Sequence, residues 1–158
     1  MKRFFAGLLA VCLVGAAFAG CSGSSANYNV NDVASAVETV AKIENPLDIT
    51  EDDLTYEFGV DMDKVEEFSG QKTGVANTAG TVLVVKASAG SVDDIKAALE
   101  NYKNGLVSVS ENHQNIFPKH PAVSDGRVVA KGDYAVLAIA AAGVDYTEVD
   151  AAIDEALK

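Results

Sequence analysis

Tryptophan is absent from the chain, and aromatic residues together make up only 7% of it. Stacking platforms for sugar rings or successive bases are built from such side chains, so those functions lose weight. Basic residues are also scarce, with 12 Lys and Arg against 23 Asp and Glu and a net charge of −11. A surface that acidic repels phosphate backbones and anionic lipid heads, which argues against nucleic acid as a partner and against electrostatic docking on a membrane. No Gly-x-Ser-x-Gly occurs, and Gly74 and Gly80 precede a strand without the lysine of a phosphate-cradling loop. The two cysteines, Cys12 and Cys21, both lie in the first 21 residues.

What is present begins with those residues. Met1-Lys2-Arg3 is a short basic start, Phe4 to Val14 an apolar run, and Gly15 to Gly20 a small-residue segment, the three-part layout of a secretory signal peptide. Phe4 to Gly20 supplies 17 residues with three glycines, short of the roughly 20 apolar residues a membrane span needs. Phe18-Ala19-Gly20-Cys21 resembles the lipobox of bacterial lipoproteins, in which small residues precede a cysteine that is lipidated and then becomes the first residue. The expectation is a signal peptide over 1–20 and lipidation at Cys21, with acyl chains such as palmitate. Two or three such chains suffice for stable anchoring where one does not. Cleavage would remove Cys12 and leave the remaining thiol acylated, so neither a disulfide nor a thiolate nucleophile is expected. It would also remove Lys2, Arg3 and no acid, leaving 138 residues at a charge of −13. That length is one domain's worth of chain.

The polar stretch 21–30 reads as a tether reaching about 15 Å, and 31–158 as a single α+β domain. Val33, Val37, Val40 and Ala41 recur at helical spacing, with Asn31 as cap and Asn45-Pro46 closing a helix over about Asp32 to Glu44. Thr50-Glu51-Asp52-Asp53 has the form of a capping box and predicts a short helix that Gly59 stops. Val65 to Thr73 reads as a weakly patterned strand interrupted by Gly70, and Thr81 to Ala87 as a strand buried on both faces. Val92 to Asn112 carries the longest helical stripe. Arg127–Lys131 and Tyr134–Ala140, joined by Gly132-Asp133, predict a hairpin, because glycine supplies the positive φ of the tight turn. A last helix is capped around Thr147. The order is ααββαββα: a three- or four-stranded antiparallel sheet, built from two hairpins and covered by helices.

Phe58-Gly59-Val60-Asp61, the strand Val82 to Lys86, Phe117-Pro118 and Lys131-Gly132-Asp133-Tyr134 follow the lipobox in an order that resembles small Gram-positive lipoproteins carrying the domain of unknown function numbered 4358. The resemblance covers about Asp48 to Leu157, and departs from the family at Gly80-Thr81, where an acidic-apolar pair is common. It implies a location and an architecture, with no activity attached.

Candidate chemistry is sparse. His113 and His120, with Asp125 or Glu111, are the material for a metal site, although zinc normally takes three or four ligands in closer groupings. Asp61, Asp63, Glu66 and Glu67 are the material for a calcium loop, without the spacing or central glycine of an EF-hand. Lys86, Lys131 and Tyr134 are expected to lie near one another at the ends of strands. No catalytic residue and no cofactor are assigned. The expected function is a non-enzymatic binding or interaction module, lipid-anchored through Cys21 on the extracytoplasmic face of the cell membrane. Its partner would be an envelope protein or a small ligand. The alternative is a small metal-dependent hydrolase using the loop from His113 to Asp125.

Overall fold

The computed structural model describes residues 26–76, 78–112 and 121–158, the last stretch without the side chains of 121 and 122. Five antiparallel strands form one sheet: β1 (Pro46–Asp48), β2 (Val65–Thr73), β3 (Thr81–Ala87), β4 (Arg127–Lys131) and β5 (Tyr134–Ile139), in the order β1-β2-β3-β5-β4. Helices α1 (Val30–Ala41) and α4 (Tyr146–Ala156) cover one face. A π-helical turn (Asp53–Glu57), α2 (Val92–Asn112) and α3 (Pro121–Asp125) cover the other. A 3-10 turn, Met62–Lys64, leads into β2.

The two central strands explain the layering. Successive side chains of a strand point to opposite faces, and Val82 to Val85 and Tyr134 to Ile139 are all buried. Val82, Val84, Tyr134, Val136 and Ala138 therefore pack under α1 and α4, while Leu83, Val85, Ala135, Leu137 and Ile139 pack under α2 and the π-helical turn. Each buried aliphatic side chain contributes about 1.5–3 kcal/mol relative to exposure, so neither face of the sheet can be left uncovered.

Several expectations require correction. The sheet has five strands, because Pro46–Asp48, given no element in the sequence reading beyond Pro46 as a helix stop, pairs with Gln71–Thr73 as a short edge strand. Three residues starting with proline carry too little alternation to register as a strand. The order ααββαββα gives way to α1, β1, the two turns, β2, β3, α2, α3, β4, β5 and α4. The helix predicted after Thr50 is a π-helical turn, although its capping box forms as expected: the Thr50 N–H donates to Asp53 Oδ2 at 2.9 Å and the Asp53 N–H to Thr50 Oγ1 at 3.2 Å. Helix α1 starts earlier than expected because Asn29, not Asn31, is its cap, accepting from the N–H groups of Asn31 and Asp32. It ends at Ala41 because Lys42 turns left-handed at φ 54°. The cap of α4 is Asp145, which accepts from the Thr147 N–H at 2.8 Å. Both hairpins form, β2 with β3 and β4 with β5, but α2 carries the chain past the middle so that β5, not β4, lies beside β3.

Gly70, which weakens the strand pattern in the sequence, is required by the packing. A Cβ there would come 2.1 Å from the Val82 carbonyl oxygen and 2.8 Å from the Leu83 Cα, both backbone atoms of the adjacent strand. Gly70→Ala is expected to destabilise the fold by at least about 2 kcal/mol through forced separation of β2 from β3. Urea unfolding followed by circular dichroism measures this, with Gly105→Ala, in open space on α2, as the tolerated control.

Candidate functional site

Three constructions hold the ionisable and hydroxyl-bearing side chains. The first lies where the chain joins the domain. Tyr134, 1% exposed at the start of β5, accepts a hydrogen bond from the Tyr28 N–H at 2.8 Å and donates to the Tyr28 carbonyl at 2.9 Å. The two rings meet edge-on at 5.5 Å between centroids. One buried hydroxyl thereby satisfies both main-chain groups of the residue that leads into α1. Lys86 and Lys131 stand directly across from Tyr134 on the strands to either side, so the three residues expected to be neighbours are neighbours. Lys131 reaches Asp154 of α4 at 3.8 Å, and Lys86 pairs with Glu66 at 2.9 Å.

The second construction sits on the opposite face, at the far end of β2. Lys72 projects toward the π-helical turn and bonds Asp53 at 2.7 Å and Glu57 at 2.5 Å. Tyr102 of α2 donates to the other Glu57 oxygen at 3.1 Å, with its ring 4.5 Å from that of Phe58. The Lys72 and Asp53 side chains are 22% and 23% exposed, so the pair is screened from water more than a surface ion pair. Hydrogen bonding from Lys72, then from the Thr50 main chain, holds the Asp53 carboxyl below its ordinary range. Burial works against the Lys72 charge, and the bonds to Asp53 and Glu57 outweigh it, leaving the ammonium harder to deprotonate than usual. Burial and the neighbouring Glu57 charge push the Tyr102 hydroxyl up. Near neutral pH Lys72, Asp53 and Tyr102 hold their protonation states, so these three act as fixed charges and dipoles that tie the turn to the sheet.

The third is a clasp on the other sheet edge. Arg127 grips Asp150 of α4 with two nitrogens at 2.7 and 3.0 Å, while its guanidinium lies 4.8 Å from the centre of the Tyr146 ring. Tyr146 in turn accepts from the Ala140 N–H at 3.1 Å. The Asp150 carboxyl is held below its ordinary range by the Arg127 hydrogen bonds.

Cys21, His113 and His120 lie outside the described residues. Asp125 ends α3, exposed, and its carbonyl accepts from the Arg127 guanidinium. Glu111 is exposed near the end of α2. Of the four acids named as material for a calcium loop, two are engaged elsewhere: Asp61 Oδ1 caps the 3-10 turn by accepting from the Asp63 N–H, and Glu66 pairs with Lys86. Lys64 binds Asp94 at 2.9 Å with Asp61 at 3.9 Å. No group of three or more His, Cys, Asp or Glu placed to hold a metal ion occurs among the described residues. Sequence reasoning found the capping box at Thr50 but missed its partner Lys72. The signal for it is a lone lysine continuing the face of β2 that carries Phe68 and Gly70. Nothing in the sequence marks the pairing of Tyr28 with Tyr134, 106 residues apart.

Taken together, these features define an α+β domain in which a five-stranded antiparallel sheet is layered between helices and clasped at its margins by ion pairs. The chain belongs to the family described as domain of unknown function DUF4358, whose model matches residues 29–140. That span starts at the α1 cap and ends just after β5, so it takes in α1, which the resemblance read from the sequence did not cover, and stops short of α4. No curated protein and no solved structure gives a match.

Replacing Lys72 with methionine is expected to cost about 1 kcal/mol, because the partly buried Asp53 and the more exposed Glu57 then lose the cation they share. The pH dependence follows from the sign of the Asp53 shift. Its folded-state value is depressed, so its contribution is present above the ordinary carboxylate value near 3.8 and is lost as the pH falls through the lower folded value. Thermal unfolding between pH 6 and pH 2 checks this, and the acid limb should be shallower in Lys72→Met than in the parent chain.

Proposed function

We propose that this is a lipid-anchored domain on the extracytoplasmic face of the cell membrane. In this reading it binds an envelope protein or a small ligand rather than catalysing a reaction. The observation that carries the anchoring is the lipobox-like Phe18-Ala19-Gly20-Cys21, with only five residues between Cys21 and Asn27. The adjoining Tyr28 is bonded at both main-chain groups to the buried Tyr134. A lipidated cysteine so close to a rigid attachment would hold the domain within a short reach of the bilayer. The end bearing the Gly132-Asp133 turn would then face the lipid. No described helix is long and apolar enough to cross a membrane, so in this reading the acyl chains supply the attachment.

Support for a binding role comes from the opposite end. There the ionised Lys72 cluster braces the π-helical turn, and Tyr56 and Leu47 stand 84% and 51% exposed. Large apolar side chains held in water on braced backbone are the usual material of contact surfaces.

The anchor is tested by feeding cells radiolabelled palmitate. The expected outcome is a labelled protein that pellets with membranes, and a Cys21→Ala variant that takes no label and is recovered in the soluble fraction. An unlabelled parent chain, or a variant that keeps the label, would overturn the reading. A second measurement checks the attachment itself. Tyr134→Phe leaves the Tyr28 N–H and carbonyl without their partner and is expected to cost about 1–3 kcal/mol, with faster protease cleavage around residues 26–30.

A further inference from the structure

The strand β2 is nine residues long, but β1 pairs only with its last three, Gln71–Thr73. One further main-chain bond, from the Ile49 N–H to the Gly70 carbonyl at 3.0 Å, closes the covered part. Beyond it the chain leaves the sheet into the turn at Glu51, and among the described residues no strand lies on the outer side of Val65–Ser69. In an antiparallel ladder a residue's N–H and carbonyl point to the same side, and the side alternates along the strand. Because the Gly70 carbonyl points outward to Ile49, the main-chain groups of Phe68 point outward too. The register from Glu67 to Lys72 is regular, with the irregularity confined to Val65/Glu67, so this parity holds.

An open groove of about 560 Å³ runs between that edge and the start of α1, where Asn29, Val30 and Asn31 line its other side. Met62, Val65 and Phe68 give it apolar walls, while Glu51 and Glu67 supply charge. Lys86 pairs with Glu66 and faces Glu67 across the ladder from beyond ion-pair distance, and Glu51 has no cation within that distance among the described residues. An exposed strand edge is a template for another extended chain, in which main-chain bonds give affinity and alternate side chains give selectivity. A second copy of this protein would bring the same acids against themselves, and charge opposes it. The geometry points to an extended, cationic polypeptide segment that adds to the outer edge of β2, with its basic side chains on Glu51 and Glu67. This inference rests on the reading of the domain as a binding module and adds a site at the Tyr134 end of the sheet, separate from the exposed Tyr56 and Leu47, with the chemistry of its partner.

The test uses the full chain, purified with its anchor in detergent micelles, and a fluorescein-labelled octapeptide alternating lysine and valine. Two further probes are the same peptide methylated on the main-chain nitrogens of one edge, and its glutamate counterpart. The lysine peptide should bind and slow hydrogen exchange at the Phe68 amide. Binding should weaken about tenfold both in Glu51→Lys/Glu67→Lys and on methylation, with the glutamate peptide silent, since loss of about 1.4 kcal/mol is a factor of ten. Glu51→Gln/Glu67→Gln, an isosteric change on exposed side chains, should show the same loss with unfolding unchanged, which separates lost charge from lost fold. Failure of the lysine peptide to bind overturns the inference, as does equal binding by the methylated peptide or by the charge variants. The anchor is scored separately on the same protein: membrane retention with no peptide binding sinks only the groove, whereas peptide binding by a chain that takes no label sinks only the anchor.

Discussion

The structure depends on one pair of strands that water cannot be allowed to touch on either face. Each of β3 and β5 presents apolar side chains in both directions, so the pair is stable only as the middle layer of three. A helix on one side alone would leave a row of valine, leucine and isoleucine in solvent. Topology answers that requirement. The chain lays α1 over one face before any of the long strands forms, uses α2 to cover the other, and returns with α4 to complete the first. The crossover through α2 lets β5 take the central place beside β3, which leaves the half-buried β4 at the edge.

Around that core the acidic composition is put to local use. An excess of carboxylates repels itself, yet many of those described stand beside a particular cation. Arg127 binds Asp150 to hold α4 against the sheet, Lys72 binds Asp53 and Glu57 to hold the π-helical turn, and Lys64 binds Asp94 to hold the start of α2. Each of these bridges joins elements that are distant in sequence. Acids outside these bridges include Glu51 and Glu67, which line one groove beside the outer edge of β2.

Legibility in the sequence followed the range of the interactions involved. The bounds of β2, β3 and α2 agree with those read from the sequence, because an apolar run or a three-and-four stripe over many residues is a local pattern that tertiary context only has to accept. The hairpin at Gly132-Asp133 was legible for the same reason, with Gly132 at φ 59°. β1 was not. Its three residues are a strand only because Gln71 to Thr73 lie beside them, and its proline is tolerated because the strand is at an edge. The π-helical turn was half legible: its capping box is local, but the hold of Lys72 and Tyr102 on Glu57 comes from elements 15 and 45 residues away. Of the candidate site residues, the acids after Gly59 were visible as a cluster, while their division among caps and lysines was not.

By itself the sequence determined the two-faced burial of β3, the places where α1, α2 and α4 start and stop to within a few residues, and the family to which residues 29–140 belong. Those properties reside in side chains at fixed spacings, and spacing survives without a fold. Only the tertiary structure decided which strand neighbours which, that Tyr134 fastens Tyr28, that Lys72 completes the turn at Asp53, and that the outer edge of β2 stays open. The contacts among these join residues that packing of the whole sheet brings together, and no local pattern records such a meeting or the lack of one at an edge.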